Sequence, residues 1–163
     1  MSVTSVEKDP QALTMTMTAD LDATVERVWQ LWADPRQFEK WWGPPGHEVT
    51  VTEHDLRAGG RIVFSMAGVD GRQDSTWQVV AADPPRRLEL RDADVDDAGR
   101  PNDDNSMTAM IITIDGRTGG AAMVIRFHFD SQAGMEHVLA TGVEEGMVSI
   151  FSQIDAVLAA TPS

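Results

Sequence analysis

Residues 131–158, SQAGMEHVLATGVEEGMVSIFSQIDAVL, decide the fold of this 163-residue chain. Ser131 can cap a helix that starts after it, and apolar positions recur at helical spacing to the end of the segment. These positions are Met135, Val138, Leu139, Gly142, Met147, Ile150, Phe151, Ile154, Val157 and Leu158. At a rise of 1.5 Å per residue, the pattern predicts one continuous C-terminal helix about 40 Å long.

Six predicted strands precede this helix. Apolar and polar residues alternate there with the two-residue period of a β-strand. Asp70-Gly71 and the glycine-rich residues 115–120 predict hairpin turns, whereas Pro84-Pro85 interrupts the pairing. The acidic residues 92–105 predict a long polar loop. The strands are predicted near residues 49–52, 61–66, 76–82, 88–91, 107–114 and 121–129.

The N-terminal part of the chain adds one strand and two short helices. Residues 12–18 alternate apolar residues with threonine, which predicts the strand. Thr24 can cap the first helix and Asp34 the second, which the Gly-Pro-Pro-Gly sequence of residues 43–46 ends. Residues 1–11 are polar and patternless, so we expect a disordered tail before a single domain at residues 12–160.

This order of elements predicts an α+β fold in which a curved antiparallel sheet wraps around the long C-terminal helix. A twisted sheet bent around one helix encloses space unless large side chains fill it. Gly142 and Gly146 lie on the predicted sheet-facing side of that helix, where each glycine costs roughly 1 kcal/mol relative to alanine. Two interpretations are open. The glycines allow another element to approach closely, or they keep volume free for a ligand.

The second interpretation gives a candidate ligand-binding site between the sheet and the helix. Flexible methionine side chains on several apolar faces would suit an adaptable lining, although they also serve as core filler. Trp41 or Trp42, just before the Gly-Pro-Pro-Gly sequence, is predicted at the entrance. The predicted lining residues are Met66, Trp77, Met110, Ile125, Phe127, Gly142, Val143 and Met147.

Composition and charge narrow the classes of partner. The chain has no cysteine, which excludes disulfides, thiolate metal sites and cysteine nucleophiles. A net charge of −13 disfavours nucleic acid as a partner. No apolar run approaches the roughly 20 residues of a membrane span, and the N-terminus lacks the features of a secretory signal. We therefore expect a cytoplasmic protein with no cofactor and no metal.

Several spaced motifs, in order, resemble the heat-shock protein 90 ATPase activator homologue-like family of the START-related SRPBCC superfamily. The resemblance runs from about residue 13 to 158, and the combination of motifs makes it specific. The motifs are TVERVW at 24–29, DP at 34–35, WWGP at 41–44, DLRAGG at 55–60, Met66, DG at 70–71, PPRRL at 84–88 and TGVEEG at 141–146.

The resemblance implies the helix-grip fold with a deep hydrophobic cavity. Family members typically have Trp after the helix glycine, whereas this chain has Val143, so we expect an enlarged or reshaped cavity. The eukaryotic activator has an additional N-terminal domain that this chain lacks, which weakens the expectation of a co-chaperone role. Fold alone does not define function.

Three functions follow as hypotheses, and the first is binding of a lipid-like or aromatic small molecule. The second is an enzyme like the polyketide cyclases and aromatases of the superfamily, which would need an inward His, Asp or Arg. The predicted strand register instead turns Arg126 and His128 outward, so no catalytic residue is assigned. The third is a module that activates a heat-shock protein ATPase. The oligomeric state is open, with a homodimer as one candidate.

Overall fold

The computed structural model describes residues 3–43, 48–68, 71–92, 107–129, 131–140 and 142–160. The strands are β1 (Val3–Asp9), β2 (Thr14–Leu21), β3 (Glu48–His54), β4 (Arg61–Gly68), β5 (Gly71–Asp83), β6 (Arg87–Asp92), β7 (Met107–Arg117) and β8 (Gly120–Phe129). The helices are α1 (Val25–Ala33), α2 (Pro35–Trp41), α3 (Gln132–Ala140) and α4 (Val143–Ala160).

The strands form one eight-stranded antiparallel sheet in the order β1-β2-β8-β7-β6-β5-β4-β3. Consecutive strands in the chain are paired in the sheet, with the exception of β2 and β3. β2 instead pairs with β8, which brings the two ends of the domain together. Irregular register in β1, β3, β5 and β7 marks bulges, which bend and twist strands. The predicted α+β helix-grip architecture is confirmed.

The core lies between one face of this sheet and the helices. Along β2, Met15 and Met17 are buried, and they pair with the buried Phe127 and Ile125 of β8. The alternating threonines of β2 point to the opposite face. Because directly paired residues share a face, two-residue alternation in each strand carries over to the whole sheet. No helix among the described residues has the length and apolarity needed to cross a bilayer.

The predicted helix caps are confirmed. Thr24 Oγ1 accepts a hydrogen bond from Arg27 N at 3.2 Å, and Asp34 Oδ1 accepts one from Arg36 N at 2.9 Å. Ser131 Oγ accepts a hydrogen bond from Gly134 N at 2.9 Å. Each cap satisfies a backbone donor that has no partner inside its own helix.

The predicted disordered tail is wrong for Val3–Asp9, which form β1. This strand pairs with β2 from Val3 opposite Ala19 to Asp9 opposite Thr14. An edge strand is held mainly by main-chain hydrogen bonds, so it needs no strong apolar pattern. Val6 packs partly buried against the core, and Lys8 Nζ lies 2.6 Å from Glu144 Oε1 of α4.

The predicted single C-terminal helix is also wrong, because two helices replace it. Gly142 separates α3 from α4 with a backbone φ of +86°, a left-handed conformation that L side chains rarely adopt. Gly142 N donates to Leu139 O at the end of α3, and Gly142 O accepts from Gly146 N at the start of α4. Gly142 therefore ends one helix and begins the next.

Several predicted turns fall between the observed strands. Gly68 pairs with Gly71, so β4 and β5 form the predicted hairpin. The break at Pro84-Pro85 separates β5 from β6, and the last hairpin turn is shorter than predicted because β7 continues to Arg117. Asp70, residues 44–46 and residues 93–105 lie outside the described residues.

Candidate functional site

The predicted lining residues whose side chains the structure describes converge between the sheet and α4, with the exception of Gly142. Four of them, Met110, Ile125, Phe127 and Met147, are buried in one core cluster, which also contains Trp41 and Trp42, the two residues considered for the entrance. Met66 and Trp77 pack against this cluster but are only partly buried. The interior thus has an apolar lining that approaches solvent near Met66 and Trp77.

Six aromatic side chains form what we call the aromatic cluster. Its members are Trp32, Phe38, Trp41, Trp42, Phe64 and Trp77. Phe38 stacks on Trp42 at a centroid distance of 5.5 Å, and Trp77 meets Trp42 edge to face at 4.8 Å. Such tilted and edge-to-face pairs are favourable beyond the area they bury. The cluster joins α1 and α2 to β4 and β5.

Trp41 and Trp42 point in different directions from the end of α2. Trp41 is the last residue of the helix and contacts Phe151 of α4 at 6.0 Å. Trp42 is the helix C-cap and contacts Phe64 and Trp77 on the sheet. Trp41 is fully buried and Trp42 is 8% exposed, so both tryptophans belong to the interior. Their role at an entrance stays a prediction.

Two backbone carbonyls at the end of α1 have side-chain partners in place of donors from within the helix. Leu31 O would ordinarily accept from the N–H of residue 35, but Pro35 has none. Trp41 Nε1 donates to Leu31 O instead, at 2.8 Å. His54 Nε2 lies 3.0 Å from Trp32 O, the next carbonyl along the helix. His54 thus has a structural partner in α1.

A glutamine on α4 connects that helix to the same region. Gln153 Nε2 donates to Trp41 O at 3.0 Å and to Gly43 O at 2.7 Å. Both acceptors lie at the end of α2, where the helix leaves carbonyls without intrahelical partners. Gln153 was not among the predicted site residues, although a polar residue within an apolar helical pattern is the signal that could have identified it.

Gly146 faces open space. A methyl group built on its Cα would have no heavy atom within 4 Å, and the residue is only partly buried. Gly146 lies in α4 one position before the buried Met147 and four before the buried Ile150. Close approach of another element, the first of the two interpretations above, therefore does not explain this glycine.

Gly142 has a different role from the one predicted. Its left-handed φ explains the glycine through backbone geometry, and the nearest atom to a methyl group at this position is Glu145 Oε2 at 3.9 Å. Neither close packing nor a requirement for ligand volume is needed to account for it. Val143 begins α4, and its side chain lies outside what the structure describes.

Few polar groups enter the described interior. Ser65 is the buried polar residue of the described chain, at 8% exposure. Arg126 is exposed and pairs in the sheet with Thr16, while His128 pairs with Thr14. Both therefore lie on the outer face, as the strand register predicted. Among the described residues, the buried lining of the interior is therefore apolar apart from Ser65.

Comparisons with known proteins agree with this architecture. The family model described as Activator of Hsp90 ATPase homolog 1-like protein matches residues 22–159. A Mycobacterium smegmatis protein of known crystal structure is 41% identical, with 99% of both chains covered and a TM-score of 0.85. An Arthrobacter aurescens protein solved by NMR is 37% identical, with 99% of this chain and 95% of that chain covered and a TM-score of 0.89.

A more distant structure shows the fold alone. The AHSA1-like protein of Aeromonas hydrophila is 21% identical, with 88% of this chain and 92% of that chain covered and a TM-score of 0.67. No curated protein matches the chain. The family model spans both the aromatic cluster and α4, so the family assignment covers the candidate site. The chain therefore belongs to the activator of Hsp90 ATPase homolog 1-like family and has the helix-grip fold of the SRPBCC superfamily.

Proposed function

We propose that this protein binds a neutral, apolar small molecule, lipid-like or aromatic, between the sheet and α4. The ligand would contact the methionine and aromatic side chains that line this interior. Met66, Trp77 and Gly146 are each partly buried, so they mark where a ligand would enter. Ligand sites in proteins are concave and lined mainly by apolar and aromatic side chains, as this interior is.

Gly146 carries the proposal. Alanine would stabilise a helix interior by about 1 kcal/mol relative to glycine. At Gly146 the added methyl group would meet nothing within 4 Å, so packing gives no reason for the weaker helix former. A residue that is suboptimal for stability and borders open space is consistent with space kept for a ligand.

The lining determines the chemical class of the ligand. The rings of Trp42 and Trp77 and the thioether of Met66 favour an apolar or aromatic guest. Because the described interior contains no buried charged side chain, it offers no partner for a charged ligand group. A neutral molecule would avoid that desolvation cost.

A fluorescence titration tests the proposal. N-phenylnaphthylamine, a neutral apolar probe, accepts excitation energy from tryptophan, and four tryptophans belong to the aromatic cluster. We expect saturable energy transfer in the unmodified protein. Gly146→Leu would fill the open space and weaken probe binding about tenfold or more, which corresponds to at least about 1.4 kcal/mol.

Val148→Leu is the matched control. Val148 lies on the same helix but is 38% exposed, so the change adds an apolar group outside the interior. It should leave the probe affinity unchanged. Absence of saturable binding, or an equal loss of affinity in both variants, would show that the interior beside Gly146 is not the site. Native mass spectrometry of the purified protein would then identify any retained natural ligand.

A further inference from the structure

A groove on the outer face of the sheet is separate from the interior. It has a volume of about 720 Å³ and lies over β1, β2 and β8. Its polar lining includes Glu7, Asp9, Thr14, Thr16, Arg126 and His128. In β2, Met15 lies between Thr14 and Thr16, and Met17 follows Thr16; both methionines are buried on the inner face. Alternation along the strand therefore places the two threonines on the outer face.

The strand register arranges these residues in two rows across three strands. Glu7 pairs with Thr16, which pairs with Arg126. Asp9 pairs with Thr14, which pairs with His128. Neighbouring strands are about 4.8 Å apart, so the carboxylates of β1 and the basic residues of β8 are separated by about 10 Å at the backbone. One side of the groove is acidic and the other is basic.

These opposite charges do not neutralise each other within the described structure. Arg126 and Glu7 form no ion pair there. Asp9 uses Oδ1 to accept from Gln11 N and Ala12 N, both at 3.1 Å, which leaves its second oxygen for another donor. By contrast, six arginines form ion pairs within the part of the chain that the structure describes, namely Arg36, Arg57, Arg61, Arg72, Arg87 and Arg117.

Two further groups define the electrostatics of the groove. Lys8 also borders it, but its ammonium nitrogen lies 2.6 Å from Glu144 Oε1 of α4. His128 is partly buried, and its Nε2 is buried without a hydrogen-bond partner. A buried nitrogen without a partner is unfavourable.

We propose that this groove is a second binding site, for a small zwitterion of amino-acid or dipeptide size. The ligand carboxylate would pair with the Arg126 guanidinium, which suits two-point binding of a carboxylate. The ligand ammonium would lie toward Glu7 and Asp9, and the hydroxyls of Thr14 and Thr16 would bond its amide or carboxylate. A simple anion would face two carboxylates, and a simple cation would face Arg126, so a molecule with both charges fits best.

NMR titration of nitrogen-labelled protein with diglycine tests this inference. We expect saturable shifts confined to the backbone amides of β1, β2 and β8 around the groove. Acetate and methylammonium each carry one of the two charges and should bind about tenfold more weakly or worse. The interior probe of the proposed function should bind unchanged in the presence of diglycine, so the two proposals can fail separately.

Variants locate the site. Arg126→Gln should weaken diglycine binding about tenfold or more, because it removes the charge-assisted bonds to the carboxylate. Glu7→Gln should also weaken diglycine binding, because it removes a negative charge that would attract the ligand ammonium. Arg61→Gln is the control, since Arg61 already pairs with Glu53 at 3.0 Å on β3. The spectrum of each variant without ligand reports whether the fold is intact.

Four results would overturn the inference. The first is the absence of shifts with diglycine, and the second is a set of shifts elsewhere on the protein. The third is acetate or methylammonium binding as tightly as diglycine, which would exclude the zwitterion as the preferred class. Full retention of binding by a folded Arg126→Gln variant would equally contradict the assigned role of Arg126.

Discussion

Gly142 and Gly146 are glycines for different structural reasons, so an alanine at each position should change the free energy of unfolding in opposite directions. Gly146→Ala should raise the free energy of unfolding by about 1 kcal/mol, since helix propensity improves and the methyl group meets no atom. Gly142→Ala should lower it by about 1–2 kcal/mol, because its φ of +86° is unfavourable for an L residue. Urea denaturation measures both. Destabilisation by Gly146→Ala would mean that the space beside it is closed.

Trp41 has a buried ring, and its indole N–H donates to Leu31 O, a carbonyl whose usual donor is missing because residue 35 is proline. Trp41→Phe should lower the free energy of unfolding by about 2 kcal/mol, because Leu31 O loses the donor that replaces the missing N–H of Pro35. Trp29→Phe is the control, since Trp29 is buried on α1 but its Nε1 donates to no described residue. If both substitutions cost the same, the hydrogen bond contributes nothing specific. Denaturant unfolding again provides the measurement.

At this scale the strand residues were easier to predict than the helix residues. Two-residue alternation fixed the inward direction of Met110, Ile125 and Phe127, since one face of the sheet is buried. The conformation of Gly142 could not be read in this way, because glycine fits an interior helical position and a left-handed one equally well in a sequence pattern. The direction of Trp42 depends on the end of α2, and helix ends are uncertain by one or two residues.

The contact between strand β1 and helix α4 gives an element-scale prediction. The hydrogen bond and charge of Glu144 raise the pKa of Lys8 above its ordinary value of 10.5, with a smaller contribution from Glu145. A raised pKa of a cation means that its stabilisation is complete below the ordinary value and is lost as pH rises through the folded value. Lys8→Met should therefore destabilise the protein at neutral pH, and the difference should shrink in strongly alkaline solution.

Urea midpoints of the two proteins at several pH values would measure that difference. Lys40→Met is the control, because Lys40 is exposed on α2 and forms no ion pair within the described chain. A Lys8→Met effect that grows with pH would contradict the assigned pairing. The side chain of Lys8 is 46% exposed, so solvent weakens the pair and the expected effect is small.

The C-terminal helix pair and strand β1 were both predicted wrongly from the sequence, and for the same reason. α3 ends at Ala140 and α4 begins at Val143, yet the apolar spacing continues from one to the other, so periodicity alone predicted one helix. Strand β1 lies at the sheet edge, where main-chain pairing with β2 replaces an apolar pattern. Both features depend on backbone geometry, whereas the pattern reports side-chain burial. The remaining strands and α1 and α2 were predicted because each buries one face.

At the scale of the molecule, the sheet and its covering helices create an apolar interior on one face and a charged groove on the other. The family resemblance anticipated the fold and the general location of the interior. It could not define the ligand, because members of one fold bind different molecules. The cytoplasmic location and the homodimer stay predictions. Sedimentation equilibrium at several concentrations would measure the oligomeric state.

An apolar ligand is proposed to enter the interior beside Gly146 and to contact methionines from the sheet and from α4. Methionine methyl resonances of methyl-labelled protein test this binding, with naphthalene as the probe. We predict saturable shifts of the Met66 and Met147 signals that disappear in Gly146→Leu and persist in Val148→Leu. Absence of shifts at Met66 and Met147, or shifts that Gly146→Leu leaves unchanged, would show that no apolar ligand binds beside Gly146.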